Sequence, residues 1–229
     1  MHIGVLGGTG PAGRGMVARL GSVGHDVIVG SRDRERSAAV VTELREQWGD
    51  RVGVLAAGSN EDAAGADVVL LGTVWDASVP TAAALAEVLA GKVVISMANG
   101  LAKHGREFHP VGFPEGSLAA AVQAAAPEAR VVAAFHLVPA AAMAAIDQPL
   151  RSDVLAAGDD GDARTVVLDL IDGIPDLRGL DAGSLANAVG IETFSSALLT
   201  VNLRHQGEAT LRLEGIGPRR RSVSAPKGA

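Results

Sequence analysis

The chain has 229 residues, enough for one large domain or two small ones with a sizeable core. Apolar residues make up 48%, which excludes a disordered chain, and aromatics only 3% with no Tyr, which argues against a cofactor sandwiched between aromatic rings. There is no Cys, so disulfides, thiol nucleophiles and Cys-based zinc sites are excluded, and a net charge of −6 argues against a general nucleic-acid surface.

Residues 3–6, Ile-Gly-Val-Leu, form a short apolar run ahead of a glycine cluster and read as a buried strand. A helix follows over residues 11–23, with Met16, Val17 and Leu20 at helical spacing and Pro11 suited to the first turn. A β-branched second strand covers residues 26–30. Residues 34–48 read as a helix with Val41, Leu44 and Trp48 on one face, and residues 52–55 as a third strand. Residues 67–73 and 92–96 give a fourth and fifth strand, with an Ala/Leu-rich helix at 81–90 between them. A helix at 117–126 and a sixth strand at 130–135 complete the alternation. Strands alternating with helices imply a parallel sheet covered on both faces.

After His136 the pattern changes to a small, mainly helical unit. It has one further strand at 153–157, a helix at 162–171 and a long helical stretch at 185–204 with Leu198, Leu199 and Leu203. Residues 218–229, rich in Arg, Ser, Pro and Gly, are expected to be a disordered tail. No basic segment precedes the first strand. The longest near-apolar run, residues 131–146, contains His136 and Pro139 and falls short of the ~20 residues of a membrane span. A cytoplasmic protein with neither membrane nor nucleic-acid partner is expected.

Gly8-Thr9-Gly10-Pro11-Ala12-Gly13 matches G-x-G-x-x-G, with Gly7 in front. It follows a strand and opens a helix, as dinucleotide binding requires. The first glycine permits the turn, the second lets backbone approach the pyrophosphate, and the third lets helix and strand pack closely. At the end of the second strand an NAD enzyme carries an acid for the ribose 2′-hydroxyl. Here Gly30-Ser31-Arg32 puts a guanidinium there, suited to a 2′-phosphate, with Arg36 one helical turn on and Thr9 within reach. NADP(H) is the expected cofactor, with Asp33 a competitor for the arginines.

These segments, with three more, resemble the NADPH-dependent reductases of coenzyme F420, the 8-hydroxy-5-deazaflavin. The further segments are Thr73-Val74-Trp75 after the fourth strand, Phe135-His136-Leu137-Val138-Pro139-Ala140-Ala141 after the sixth, and Leu180-Asp181-Ala182-Gly183-Ser184-Leu185-Ala186-Asn187 before the last long helix. The resemblance spans residues 1–216. It implies an α/β fold, a Rossmann-type doubly wound parallel sheet, with residues 1–136 binding NADP and residues 137–217 closing an F420 cleft. It also implies a homodimer. On it, Thr9, Ser31, Arg32 and Arg36 fall at the 2′-phosphate, and His136 and Val138 line the deazaflavin and nicotinamide rings. Thr73, Val74, Trp75, Met97, Ala98 and Asn99 lie on the cofactor. The chain departs from archaeal members after the fifth strand, where Ser96-Met97-Ala98-Asn99-Gly100-Leu101 enters a long Gly/His/Pro loop. There Lys103 and Arg106 are candidates for the acidic tail of F420.

No metal is expected. The acids of Gly158-Asp159-Asp160-Gly161-Asp162 lack calcium-loop spacing and suit a helix cap at Asp162, and His104 and His109 have no third ligand. The expected activity is reversible hydride transfer between NADPH and F420. The alternatives are an NADP-dependent reductase of an imine or ketone, and a non-catalytic NADP(H) sensor. The first alternative calls for a general acid in the cleft, and Tyr, a common choice, is absent.

Overall fold

The computed structural model describes residues 1–217. From the amino terminus come β1 (His2–Leu6), α1 (Pro11–Ser22), β2 (Asp26–Ser31), α2 (Arg34–Trp48), a 3-10 turn (Gly49–Val52), β3 (Leu55–Ser59), α3 (Asn60–Ala64) and β4 (Val68–Leu71). Next are α4 (Trp75–Ala84), α5 (Ala86–Leu89), β5 (Val93–Ser96), the hairpin β6 (Leu101–His104) and β7 (Glu107–Pro110), α6 (Leu118–Ala125) and β8 (Arg130–Ala133). The chain continues through α7 (Ala140–Ala144), β9 (Ser152–Gly158), α8 (Gly161–Asp172), β10 (Leu177–Asp181), a 3-10 turn (Leu185–Asn187) and α9 (Ala188–His205).

The strands form an eight-stranded sheet in the order β10-β9-β8-β5-β4-β1-β2-β3, parallel throughout except where β9 meets β8. Alternation along the strands sends Val68 and Leu70 of β4 to one face and Val69 and Leu71 to the other. On the first face Met16, Val17, Val40, Leu44, Leu168 and Ile171 of α1, α2 and α8 cover the sheet. On the second, small residues such as Ala63, Ala82 and Ala119 let α3, α4 and α6 lie close. The closest approach is at Gly4, where a Cβ would stand 1.8 Å from the Ala63 carbonyl oxygen. Leu70 is fully buried, and Leu70→Ala would cost ~2–5 kcal/mol.

Strand order reverses between β1 and β4, so the carboxyl ends of these neighbours diverge into opposite connections. Open α/β sheets bind ligands at such a crevice.

The fold class expected from the sequence is the one observed, with several elements displaced. The third strand runs from Leu55, because the 3-10 turn occupies residues 49–52. The helix expected from residue 81 starts at Trp75 and contains Pro80, which forfeits one backbone bond without ending it. The Gly/His/Pro loop is largely a hairpin turning at Gly105, φ 61°. Residues 137–217 are mainly helical but add two strands to the sheet. In that part Asp153, fully buried, takes a two-pronged bond from Arg178 at 2.8 and 2.6 Å and a third from the Leu213 N–H at 2.6 Å. Burial pushes its carboxyl up, but these donors hold it below its ordinary value overall. The cap of α8 is Asp160, accepting from the Ala163 N–H at 2.7 Å, two residues before the expected Asp162. Asp159 instead accepts from Leu185 N–H at 2.9 Å. The tail from residue 218 lies outside the described residues.

Candidate functional site

A cavity of about 680 Å³ lies along the carboxyl edge of the sheet, across the ends of β2, β1, β4, β5 and β8. At ~4.8 Å per strand those ends span about 19 Å. Every residue expected from the sequence to touch nucleotide or deazaflavin borders it, except Gly8 and Gly13, which lie behind the glycine turn, and the two candidates for the acidic tail, Lys103 and Arg106.

The turn after β1 is built for close approach. Gly7 has φ 66° and donates its N–H to Asn60 Oδ1 at 3.2 Å, so α3, packed over β1 and β2, fixes the turn. A Cβ on Gly13 would fall 2.6 Å from the Gly7 carbonyl oxygen, so this glycine serves packing. Gly10 differs. It caps α1 in extended geometry, and a Cβ there would meet no protein atom closer than 3.6 Å. The space in front of Gly10 is the cavity itself, where the unpaired N–H groups of α1 and its positive end favour an anion.

At the β2 end, buried Ser31 Oγ accepts from the Asp33 N–H at 3.2 Å. The expected competition by Asp33 does not arise: its carboxylate caps α2, accepting from Glu35 N–H at 2.9 Å and Arg36 N–H at 3.4 Å. Arg34 is bound to Asp62, at 2.6 Å. Arg32 and Arg36 are exposed on the cavity with no ion pair among the described residues.

At the β4 end Thr73 and Ser78 hydroxyls lie 3.0 Å apart, and Trp75 meets Phe113 edge-on at 6.2 Å. Val74, 70% exposed, stands on the rim. Toward β5 and β8 the lining turns neutral, with Met97, Ala98, Asn99, Val138 and, from α9, Ser195, Leu198, Leu199 and Asn202. Asn99 Nδ2 donates to the His136 carbonyl at 2.9 Å and ties the two strand-end loops together, while its buried Oδ1 has no partner among the described residues. Phe135, buried, holds φ 68° just before His136, a left-handed conformation that costs a bulky residue ~1–3 kcal/mol and is held by its surroundings.

His136 borders the cavity through its main chain, because its side chain is 0% exposed. Burial lowers the imidazole to about 4, so the ring is neutral near pH 7 and its 3.9 Å approach to Glu192 is not an ion pair. Glu192 is pushed upward by burial, opposed by the N–H groups of Ala119 and Leu118 that it accepts at 2.9 and 2.8 Å. It thereby ties α9 to the start of α6.

Sequence reading missed Asn60 and the α9 wall. Ser195, Leu198, Leu199 and Asn202 repeat at the i, i+3, i+4, i+7 spacing of one helix face, a signal that was present. Asn60 carries none: its contact with Gly7 joins residues 53 apart in sequence. Among the described residues no group of three or more His, Asp or Glu could hold a metal.

The family model described as NADP oxidoreductase, coenzyme F420-dependent, matches residues 2–100. The chain is 33% identical to the F420-dependent NADP reductase of Methanocaldococcus jannaschii, over 92% of this chain and 96% of that one. It is 33% identical to the enzyme of the same name from Methanothermobacter thermautotrophicus, over 90% and 91%. Among solved structures, a chain from Arthrobacter sp. FB24, assigned provisionally as an F420-dependent NADP reductase, superposes with a TM-score of 0.76 at 28% identity, covering 90% of this chain and 95% of that one. With a third of its residues identical over nearly the whole length of both archaeal enzymes, this chain belongs to the F420-dependent NADP reductases.

Proposed function

We propose that this chain transfers a hydride reversibly between NADPH and coenzyme F420, with the nucleotide laid along the sheet edge and the deazaflavin between the β5 and β8 ends and α9. The 2′-phosphate lies between Thr9, Ser31, Arg32 and Arg36, and the pyrophosphate on Gly10, Pro11 and Ala12. The nicotinamide reaches the Thr73–Trp75 and Met97–Asn99 loops. When bound, the pair supplies a hydride donor at C4 of the nicotinamide and an acceptor carbon at C5 of the deazaflavin.

The observation that carries this reading is the character of the far end. Its lining is Met97, Ala98, Asn99, Leu101, Val138, Ser195, Leu198 and Leu199, with no Asp, Glu or Lys among the described residues, and the His136 imidazole is enclosed and neutral. Hydride transfer between two ring carbons needs stacking at roughly 3–3.5 Å and exclusion of water. The accompanying proton goes to a ring nitrogen and can come from solvent. Imine or carbonyl reduction places a proton at the reacting group and calls for a positioned acid, which this end does not offer.

On this reading residues 1–136 hold the nucleotide and residues 137–217 close the cleft through Val138 and α9. His136 acts through its backbone and by filling the space against Glu192. A cytoplasmic homodimer belongs to the same reading. It is supported by Phe194 and Val201, seven residues apart on one face of α9 and each 47% exposed. Size-exclusion chromatography with light scattering checks the dimer.

The test of function mixes enzyme, NADPH and oxidised F420 and follows loss of the deazaflavin absorbance, with FAD, FMN and a panel of imines and ketones in parallel. Rapid turnover of F420 alone is expected. Fast reduction of an imine or of FMN with F420 untouched overturns the proposal.

A further inference from the structure

Most basic side chains of the described residues are engaged. Arg14, Arg34, Arg164, Arg178, Arg204 and Arg212 are in ion pairs. Arg19, Arg45, Lys92 and Arg130 bond carbonyls, and Arg51 lies over the Trp48 ring. The side chains of Arg32, Arg36, Lys103, Arg106 and Arg151 have no partner among the described residues. Arg32 and Arg36 stand at the nucleotide phosphate end. Lys103 and Arg106 stand beyond the opposite end, on the β6–β7 hairpin.

The hairpin continues the cavity wall. Leu101 borders the cavity, and Lys103, two residues on, shares its face of the strand about 7 Å further out. Phe108, paired with Lys103, lies on the same face. Arg106 stands in the tip beside Gly105. On the other face Glu107 pairs with Arg204 of α9, and the His104 and His109 rings stack at 4.7 Å. The Phe108 N–H donates to Thr200 Oγ1 at 3.0 Å, so the hairpin is fixed to the helix that walls the cavity. The single acid on the hairpin is thus already paired, and two exposed cations remain on a chain whose net charge is −6.

We propose that the β6–β7 hairpin is an anion-binding arm, on which Lys103 and Arg106 receive the phosphodiester and carboxylate tail of a deazaflavin substrate whose ring lies against Asn99, Val138 and α9. This rests on the F420 reading above. A polyanionic tail leaving the ring past Leu101 runs along a rigid strand and meets first an ammonium and then a guanidinium. Both are solvated, so the contribution is a salt-dependent gain in tail capture with no role in the hydride step.

The test is steady-state kinetics of Lys103→Glu/Arg106→Glu and of Lys103→Arg/Arg106→Lys against the wild type. Substrates are F420 and the tail-less 8-hydroxy-5-deazariboflavin, at low and high salt. The reversed-charge variant is expected to raise KM for F420 about tenfold at low salt and less at high salt. Its kcat, its KM for NADPH and its KM for the tail-less compound should stay at wild-type values, and the charge-conserving variant should behave as wild type. A wild type that reduces F420 with a KM unmoved by charge reversal, or moved equally for both deazaflavins, overturns the arm alone. A wild type inert toward both compounds overturns the F420 reading and the arm with it.

Discussion

The two ends of the cavity are built on opposite principles. At the β2 end, Arg32 and Arg36 leave their guanidinium groups exposed on the cavity beside the buried Ser31, with Asp33 diverted into a helix cap. At the β5–β8 end the polar groups are tied inward: Asn99 to the His136 carbonyl, and Glu192 to the start of α6. Charge is useful where the ligand is anionic and unreactive, since it gives affinity and selects the nucleotide. On the proposed reading the hydride moves at the neutral end, where the surface holds two flat rings together and keeps water out. Binding and chemistry are thus separable here by substitution.

The largest expected effect is at the turn between the ends. Gly10→Val keeps the fold, because its extended backbone suits Val and no atom of the described residues crowds the new Cβ, but it fills the proposed pyrophosphate position. Calorimetry should show NADP⁺ affinity falling by more than about 100-fold with thermal stability little changed. Unchanged affinity would move the nucleotide elsewhere. Next, Arg32→Ala removes a charge-assisted bond worth roughly 1.5–3 kcal/mol. It should raise KM for NADPH ~10–100-fold and barely affect NADH. Arg36→Ala should cost only a few-fold, and a wild type that prefers NADH would break the assignment of this end.

The smallest effect is on stability. Burial lowers His136 to about 4 from an ordinary 6.5, so between these pH values the unfolded chain binds the extra proton and stability rises with pH. The slope from this group is at most ~1.4 kcal/mol per pH unit, and the stability it governs is fully present above pH 6.5 and lost toward pH 4. Glu192, raised by burial, works in the opposite sense above pH 4.5 and reduces the net slope. Denaturant titrations from pH 4 to 7 should show a flatter dependence for His136→Asn. An identical profile would mean that the ring titrates normally.

Much of this was legible in advance because short-range rules govern it. The strand, glycine turn and helix at residues 2–22 follow from local pattern, and Ser31-Arg32 stand out by chemistry alone as the proposed phosphate end. The family segments around His136 and residues 180–187 pointed to F420. What escaped depends on tertiary context. The strands of residues 101–104 and 107–110 are four residues each, with no apolar alternation, and gain their partner from Thr200 and Arg204 far along the chain. β10 carries Arg178 and Asp181 and reads as a loop until Asp153 is seen to bind Arg178. The enclosure of the His136 side chain could not be read from a histidine at a strand end, because it depends on Glu192 arriving from α9.

The central claim is that the far end brings nicotinamide and deazaflavin into direct, water-excluded contact. The most direct test uses NADPH deuterated at the transferred C4 position, with wild-type enzyme and F420 in ordinary water, and locates the label by mass spectrometry and NMR. The account predicts deuterium at C5 of the reduced deazaflavin with no dilution by solvent. Hydrogen from water at C5, or deuterium lost to solvent during turnover, would contradict it.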